Sequence, residues 1–363
     1  MEKIKLNLKN RIDQSYNIVI DRDLLGKIPK DLKQNKIGNS YLIITDSNIE
    51  KLFGKKLLAL MKKTGLKTDL ISFKAGEQSK NLKTFTQLIQ KAHKLGLDRK
   101  STILALGGGV VGDIAGLVAS TYMRGINYIQ IPTTLLAMVD SSIGGKVAVD
   151  LPTGKNIIGH FHQPKKVYID ISLLKNLPKK EMNNGLAEII KHALIKDQAL
   201  FSFIGNNLNK IKNKDPHILI KLIKRNCEIK ARIVEQDEKE AGIRKLVNYG
   251  HTIGHAIETL TNYKKYSHGE AIAIGMAVEA LIANKICLLP KKDLTKQNKL
   301  IKKIGLPIIV PNINSNKLTN ELKKDKKVVG GKIEFVLLER IGKAKHSIHT
   351  SNKIIKQAIE ESK

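Results

Sequence analysis

The chain has 363 residues, 42% hydrophobic and 4% aromatic, which is enough for about two domains with sizeable cores. Its net charge of +31 comes from 56 lysines and 8 arginines against 33 acidic residues. A charge this large would favour a nucleic-acid partner, but lysines spread among many Asn and Ile are typical of proteins encoded by A+T-rich genomes. Aromatic side chains for base stacking are also few. We therefore interpret the charge as a solvated surface and predict no nucleic-acid partner.

The sequence predicts neither a membrane span nor a secretory leader. The apolar runs at 103–120 and 271–289 are both interrupted by charged residues. The first residues alternate charge with Ile and Leu and contain no apolar signal core. Cys227 and Cys287 form neither a metal-binding spacing nor a disulfide framework. These features favour a cytoplasmic protein with no membrane partner.

The first half of the chain alternates short β-rich runs with helical periodicity. We predict strands at 41–45, 68–73, 102–106 and 128–131, and helices at 47–63, 82–95 and 111–123. This alternation predicts an α/β fold with a doubly wound, Rossmann-like parallel sheet. Such sheets bind ligands at the carboxyl ends of their strands. Polar or glycine-rich segments follow each predicted strand, at Asp46 and Asn48, at 76–80, at 107–109, and at Thr133 and Thr134.

Three successive glycines separate the third predicted strand from the helix that follows it. Gly107, Gly108 and Gly109 can adopt φ > 0 and allow a ligand to approach the backbone closely. The amide groups of such a turn, with the start of a helix behind them, suit a pyrophosphate. The turn predicts a phosphorylated or dinucleotide ligand, although spacing alone leaves a purely structural turn equally open.

From about residue 176 the pattern becomes mainly helical. We predict helices at 181–196, 216–238, 250–261, 270–287 and 312–327, an isolated strand at 335–338 and a lysine-rich C-terminal helix. No internal repeat is visible. The boundary is placed between Leu177 and Pro178, which predicts two domains, 1–177 and 178–363.

A group of histidines and one glutamate predicts a metal site in the second half. His251 and His255 stand four residues apart on one helix face, a spacing that can hold a divalent metal. The glutamate of the HExxH motif is absent, and a structural role for these histidines remains an alternative. His268 opens the next apolar helix, and Glu188 lies on a largely apolar helix where a carboxylate needs a cation or a hydrogen bond. Two imidazoles and one carboxylate are a ligand set of catalytic zinc.

A second group of residues predicts an anion clamp. Lys146 follows two glycines, and Lys155 with Asn156 follows another glycine. Arg124 precedes the fourth predicted strand. Cations on tight turns bind carboxylates and phosphates well, Arg through its planar fork and Lys as a point charge. In a chain so rich in lysine, an exposed surface position is the main alternative.

With these residues in place, the chain closely resembles the 3-dehydroquinate synthase family of the shikimate pathway. The stretches that carry the resemblance run in family order and are 76–80, 107–113, 122–126, 131–136, 139–146, 154–156, 185–191, 237–240, 248–255 and 268–270. The resemblance implies an NAD-binding Rossmann-like domain, a mainly α-helical metal- and substrate-binding domain, and an active site in the cleft between them. It also implies tightly held NAD, a divalent metal, usually zinc or cobalt, and a homodimer.

The resemblance assigns site residues. It implies Glu188, His251 and His268 as metal ligands, so His255 becomes a substrate-side residue instead of a ligand. The implied cofactor contacts are Asp46, Asn48, Glu77, Gln78, Lys80, Gly108, Gly109, Val110, Asp113, Thr133, Thr134, Lys146, Lys155, Leu173, Asn176 and Leu177. The implied substrate and catalytic contacts are Arg124, Asp140, Lys146, Lys155, Asn156, Lys191, Lys230, Arg244, Asn248, His255 and either Lys326 or Lys327. The chain departs from common family residues at Val147, Asp150 and Asn176.

The family reaction converts 3-deoxy-D-arabino-heptulosonate 7-phosphate to 3-dehydroquinate and phosphate, in aromatic amino acid biosynthesis. It proceeds by NAD-dependent oxidation, phosphate elimination, re-reduction and intramolecular aldol closure. Sugar phosphate cyclases that make inosose or valiolone rings remain alternatives, because they share the glycine turn and the metal triad. Glycerol-dehydrogenase-like enzymes share the fold but lack the Gly-Gly-Lys and Gly-Lys-Asn pair. That pair, with Arg244 and Asn248, favours the dehydroquinate reaction.

Overall fold

The structure is a computed structural model that describes residues 13–323, 328–329 and 332–363. The strands of its N-terminal half are β1 (Asn17–Asp21), β2 (Tyr41–Asp46), β3 (Thr68–Phe73), β4 (Thr102–Gly107), β5 (Asn127–Pro132), β6 (Lys146–Leu151), β7 (Gly154–Phe161) and β8 (Lys166–Asp170). The helices are α1 (Ile28–Asn35), α2 (Ser47–Ile49), α3 (Lys55–Lys63), α4 (Leu82–Lys94) and α5 (Gly109–Thr121).

Six of these strands form a parallel sheet in the order β1-β8-β5-β4-β2-β3 within the described residues. β3 pairs with one side of β2 and β4 with the other, so the strand order reverses between β2 and β4. The carboxyl ends of those two strands, at Asp46 and Gly107, therefore flank a crevice of the kind that binds ligands in doubly wound sheets.

The central strands are buried on both faces, which explains their nearly continuous apolar sequence. Successive side chains point to opposite faces. Ile43 and Leu104 belong to one buried cluster, whereas Leu42 and Ile103 belong to another. Helices therefore pack on both sides of the sheet, as the sequence predicts.

The N-terminal half differs from the prediction in several ways, and β1, α1 and β8 were not predicted at all. The helix predicted at 47–63 is interrupted by a π-helical turn at Glu50–Gly54. α5 starts at Gly109 and ends at Thr121, because Met123 and Arg124 adopt positive φ and cannot continue the helix. The antiparallel hairpin of β6 and β7 was not predicted, since most of β7 is exposed and shows no apolar alternation.

The C-terminal half is mainly helical. Its helices are α6 (Lys179–Lys196), α7 (Gln198–Asn206), α8 (Leu208–Lys212), α9 (Pro216–Gln236), α10 (His251–Leu260), α11 (His268–Lys285), α12 (Lys291–Ile304), α13 (Ser315–Leu322) and α14 (Asn352–Glu361). Its strands are β9 (Val328–Val329), β10 (Lys332–Ile333), β11 (Phe335–Arg340) and β12 (Lys343–Ile348). The strand predicted as isolated is β11, and that prediction is wrong because β11 pairs antiparallel with β12.

α11 lies at the centre of this half and packs against α6, α10, α12 and α14. It is buried on almost every side, which explains an apolar run that resembles a membrane span in sequence. Among the helices that the structure describes, none is long and apolar enough to cross a membrane.

The two halves share one buried core. Leu135 and Met138, which follow β5, belong to the same apolar cluster as Leu186 and Ile190 of α6. Leu177 lies between the short 3-10 helix Ile171–Leu174 and α6, and the division of the chain into two domains at that point stays a prediction.

Candidate active site

A cavity of about 2220 Å³ opens where the carboxyl edge of the sheet faces the helical half. This exceeds the roughly 300–1,000 Å³ of a typical small-molecule pocket, so it can hold more than one ligand. Every residue that the resemblance implies as a cofactor contact lines it, as do the substrate-side residues Asp140, Asn156, Asn248 and His255. The cavity thus joins the two predicted sets of contacts.

The glycine turn forms the sheet side of this cavity. Gly108 is the N-cap of α5, and among the described residues no side chain caps that helix. A Cβ on Gly107 would lie 2.5 Å from the side chain of Val111, and one on Gly108 would lie 3.1 Å from Thr134. None of the three glycines has a positive φ, so close packing against Val111 and Thr134 explains why small residues stand here. The backbone amides at the start of α5 have no side-chain cap from Gly108, which fits a pyrophosphate.

Asp46 ends β2 beside this turn and caps the next helix. Its carboxylate accepts hydrogen bonds from the backbone amides of Asn48, at 2.8 Å, and Ile49, at 3.0 Å. The cap explains locally why an aspartate follows the buried strand. It also fixes the orientation of a carboxylate at the edge of the cavity.

A buried ion pair joins three segments of the sheet half. Lys80, from the loop after β3, lies 2.5 Å from Asp113 of α5 and donates a hydrogen bond to Asn156 of the β6–β7 hairpin. Burial lowers the pKa of Lys80, but the Asp113 carboxylate outweighs that effect and raises it. Burial raises the pKa of Asp113 despite Lys80. This pair tethers the β6–β7 hairpin, which carries the predicted clamp residues, to α5, the helix that follows the glycine turn.

The predicted metal ligands converge from three helices. Glu188 lies in α6, and His251 and His268 are the first residues of α10 and α11. The Nε2 atoms of His251 and His268 lie 3.5 and 3.4 Å from Oε1 of Glu188. Ligands bonded at about 2.0–2.2 Å around a tetrahedral zinc stand roughly 3.3–3.6 Å apart. The donor atoms therefore fit one divalent ion.

Glycines allow these helices to approach so closely. Gly250 precedes α10 with φ of 80°, and a Cβ on it would lie 2.6 Å from Met276. A Cβ on Gly275 of α11 would lie 1.9 Å from the carbonyl oxygen of Gly250. Glu279 accepts a hydrogen bond of 2.6 Å from the amide of Gly250, so this buried carboxylate caps α10.

The outer nitrogens of both histidines also have partners. Nδ1 of His251 lies 3.2 Å from the carbonyl oxygen of Tyr249, and Nδ1 of His268 lies 3.5 Å from Glu258. Both Nε2 atoms are thereby directed at Glu188, as in metal sites where an outer partner fixes the tautomer.

The electrostatics of the cluster favour a cation. Glu188 is fully buried and accepts no well-aligned hydrogen bond from any described residue, although Lys191 pairs with it. Burial would raise the pKa of Glu188, but Lys191 and His268 lower it to about 2. Burial lowers the pKa of His268, while Glu188 and Glu258 raise it to about 10. The carboxylates thus attract a proton that a metal ion would replace.

A layer of buried charge lies behind the cavity wall. Lys230 pairs with Asp140, and Arg244 donates to the carbonyl oxygen of Gly144 at 3.1 Å. Burial would raise the pKa of Asp140, but Lys230 and Lys191 hold it well below its ordinary value. Lys191, Lys230 and Arg244 are therefore buried behind the cavity surface, with Asp140 in front of them.

The clamp residues of the hairpin reach across the cavity. Lys146 pairs with Glu240, which also accepts a hydrogen bond of 2.8 Å from Asn248. Nζ of Lys155 lies 3.1 Å from Glu77 and 4.4 Å from the centre of the Tyr263 ring. Both lysines thus stand where the sheet half meets the helical half.

Some predicted site residues lie elsewhere. Arg124 is exposed and is not among the residues that line the cavity; it follows the C-terminal end of α5, about 20 Å from Gly109 at 1.5 Å per residue. Its assignment stays a prediction. Lys326 and Lys327 lie outside the described residues.

Three residues that line the cavity, Glu240, Glu258 and Tyr263, are not among the predicted site residues, although Glu240 ends the stretch 237–240. Glu258 could have been found, since it stands seven residues after His251 and three after His255, on the same face of α10. Glu240 and Tyr263 lie outside regular helices and reach the lysines only through the tertiary fold.

The fold combines a doubly wound sheet that carries a glycine turn with a helical half that carries a cluster of two histidines and one glutamate. This combination defines a class of enzymes that use a dinucleotide and a divalent metal. Family models described as the N-terminal and C-terminal parts of 3-dehydroquinate synthase match residues 70–184 and 185–328. A 3-dehydroquinate synthase of Thermodesulfovibrio yellowstonii is 46% identical over 362 residues, 99% of this chain and 100% of that protein. The chain belongs to the 3-dehydroquinate synthase family.

Solved structures agree with this assignment and confirm the predicted fold class. A 2-epi-5-epi-valiolone synthase of Streptomyces hygroscopicus, with NAD+ and Zn2+ bound, superposes with a TM-score of 0.90 at 27% identity, covering 99% of each chain. A 2-deoxy-scyllo-inosose synthase complexed with carbaglucose-6-phosphate, NAD+ and Co2+ gives 0.88 at 30% identity, covering 95% of this chain and 96% of that one.

Proposed function

We propose that this enzyme converts 3-deoxy-D-arabino-heptulosonate 7-phosphate to 3-dehydroquinate and phosphate, with NAD and a divalent metal, zinc or cobalt. The observation that carries the proposal is that His268, which belongs to the cluster with Glu188 and His251, lines the same cavity as the Gly108 turn. The relatives at 46% identity support the substrate, and the cofactors named with the two cyclase structures support NAD and the metal.

Different residues of this chain bind the two cofactors. When bound, NAD supplies a reversible hydride acceptor and the metal supplies a Lewis acid that acidifies a coordinated hydroxyl. Glu188, His251 and His268 hold the metal. The residues that hold NAD are the predicted cofactor contacts, with the pyrophosphate at Gly108 and Gly109.

The hairpin residues hold the substrate. Lys146, Lys155 and Asn156 bind its anionic ends, the carboxylate and the phosphate, from the sheet side of the cavity. Asn248 and His255 contact it from the helical side. Fixing both ends of the substrate aligns its reacting carbon, and such positioning contributes several kcal/mol to catalysis.

The buried charges behind the cavity support its wall. Lys191 and Lys230 lie beneath Glu188 and Asp140, so each buried carboxylate is matched by a cation. Arg244 holds the loop of Gly144 that precedes Lys146. Lys191 and Lys230 therefore neutralise the buried carboxylates, and Arg244 orients the hairpin that carries the predicted clamp residues.

The proposal extends to assembly, domain division and location. The enzyme works as a homodimer in the cytoplasm, with an NAD-binding domain of residues 1–177 and a metal- and substrate-binding domain of residues 178–363. Sedimentation velocity of the purified chain tests the dimer, and a monomer at micromolar concentration would contradict it.

A phosphate-release assay tests the reaction. The purified chain with the heptulosonate phosphate should release phosphate, lose this activity with a chelator, and regain it with added Zn2+ or Co2+. A matched sugar phosphate that lacks the carboxylate serves as the control substrate. Comparable kcat/KM with that control, or an inosose or valiolone product by mass spectrometry, would assign the chain to a different cyclase.

A further inference from the structure

α10 carries a third polar side chain on the face that holds His251 and His255. Glu258 is 4% exposed, and a carboxylate buried this far needs a cationic or hydrogen-bonding partner. No metal, cofactor or substrate contact described above requires Glu258.

Its neighbours identify what the carboxylate does. Oε1 of Glu258 lies 3.5 Å from Nδ1 of His268, whose Nε2 lies 3.4 Å from Glu188. The imidazole of His268 therefore stands between two carboxylates, one in the metal cluster and one behind it. The same Oε1 lies 4.0 Å from Nζ of Lys155, on the hairpin of the sheet half.

The two histidines of the cluster are fixed in different ways. The ring of His251 is 11% exposed, and its Nδ1 faces a backbone carbonyl oxygen that no side-chain substitution removes. The ring of His268 is 30% exposed, so packing restrains it less. A carboxylate that accepts the Nδ1 proton fixes which nitrogen is free for the metal, orients the ring and raises its basicity.

We propose that Glu258 is a positioning residue that directs Nε2 of His268 toward the divalent metal. The inference rests on the proposed function, because it requires Glu188, His251 and His268 to bind one ion. Glu258 itself is not a ligand in this arrangement, since His268 lies between it and Glu188.

Metal affinity of the purified full-length chain with NAD tests this role. The dissociation constant for Zn2+ is measured by competition with a chromophoric chelator for the unmodified chain, Glu258→Gln and Glu258→Ala. Loss of such an outer partner typically weakens binding 10- to 100-fold, which we expect for Glu258→Ala. Glu258→Gln keeps an acceptor oxygen at the same place, so its affinity for Zn2+ should fall less. This variant replaces Glu258→Ala in the test if the alanine variant does not fold.

Two further measurements separate positioning from general damage. The Co2+-loaded Glu258→Ala chain should show altered visible d–d absorption, whereas Glu228→Gln, an exposed charge loss in α9, should match the unmodified chain in spectrum and Zn2+ affinity. In a double-mutant cycle, Glu258→Ala should weaken binding by less than threefold once His268→Ala is present, because it acts through that ring.

The outcomes are distinct. If the unmodified chain binds Zn2+ and Glu258→Ala leaves its affinity and the Co2+ spectrum unchanged, the positioning role is overturned while the proposed function stands. Full additivity with His268→Ala overturns it equally. Failure of the unmodified chain to bind Zn2+ or Co2+ at all overturns the metal site together with this inference.

Discussion

The two walls of the cavity are built from different parts of the chain. On the sheet wall, the predicted pyrophosphate site is made of backbone, the Gly108 turn and the first amides of α5 after β4. The metal site on the helical side depends on three side chains from three helices, Glu188, His251 and His268, of which His268 lines the cavity. A backbone site tolerates changes in side chains, whereas a site of three donor atoms loses its ligand geometry with any one of them.

Replacing one donor should therefore have the largest effect on activity. His268→Ala removes one of three metal ligands, and the several kcal/mol that a Lewis acid contributes correspond to a loss of about a thousandfold or more in kcat. Zinc stoichiometry by elemental analysis and steady-state phosphate release measure this. Stoichiometric zinc with near-normal turnover in the variant would remove His268 from the ligand set. The helical side would then not depend on three donor atoms, and its difference from the backbone site would be contradicted.

The same contrast explains what the sequence predicts. The strands β2, β4 and β5 were predicted because burial on both faces makes them mainly apolar runs. The glycine turn was predicted from three adjacent glycines between a strand and a helix, although none of them has the positive φ that glycine permits. The hairpin of β6 and β7 was missed since it is half exposed, and α12 was missed because lysines interrupt its apolar face.

Contacts that the tertiary fold creates were the hardest to predict. The i, i+4 spacing of His251 and His255 suggested a shared metal, yet His251 and His268 are the histidines that lie within 3.5 Å of Glu188. Helical spacing says which residues share a face, but it does not say which face of the next helix they meet. The family resemblance supplied that information.

The helical wall should also be sensitive to the spacing of its helices. Gly275→Ala places a Cβ 1.9 Å from the carbonyl oxygen of Gly250, so α10 and α11 must separate. Overpacking of this kind costs about 3 kcal/mol of unfolding free energy, and it should weaken Zn2+ binding as well. Urea unfolding and chelator competition measure the two effects.

Gly205→Ala is the matched control for that variant. A Cβ on Gly205 in α7 meets nothing within 4 Å, so this change should stabilise the chain by roughly 0.5–1 kcal/mol and leave the metal site unaffected. If the two glycine variants are equally stable, the close contact between α10 and α11 at Gly275 does not constrain the spacing of the helices that carry the metal ligands.

A change in the clamp residues that lie between the two walls should reduce activity less, with an effect on both KM and kcat. Lys155→Ala removes a cation that lies between Glu77 and the Tyr263 ring at the mouth of the cavity. Loss of one charge-assisted contact of about 1.5–3 kcal/mol predicts a roughly 10- to 100-fold fall in kcat/KM, with KM raised and kcat lowered. Zinc content should stay unchanged, and near-normal kinetics would place Lys155 outside the substrate site.

The smallest expected effect on activity, with a change mainly in stability, concerns the buried histidine behind the helical wall. His192 is fully buried, and its Nδ1 lies 3.0 Å from Oδ1 of Asn226, whose amide nitrogen donates to the carbonyl oxygen of Val139. The amide is thus oriented to accept, so Nδ1 carries the proton of a neutral ring. Asp140 lies 3.7 Å from Nε2, and Lys191 is also close.

Burial and Lys191 lower the pKa of His192 to about 4, against about 6.5 in the unfolded chain. Between those values the unfolded state binds a proton that the native state does not, so stability falls as the pH falls. The contribution of His192 to the pH dependence of the unfolding free energy reaches about 1.4 kcal/mol per pH unit, and it ends near pH 4. His192→Asn should therefore flatten the dependence of the unfolding free energy on pH between 6.5 and 4.5, measured with urea. An unchanged slope would mean that the ring is protonated in the native state and that Asp140 holds an imidazolium.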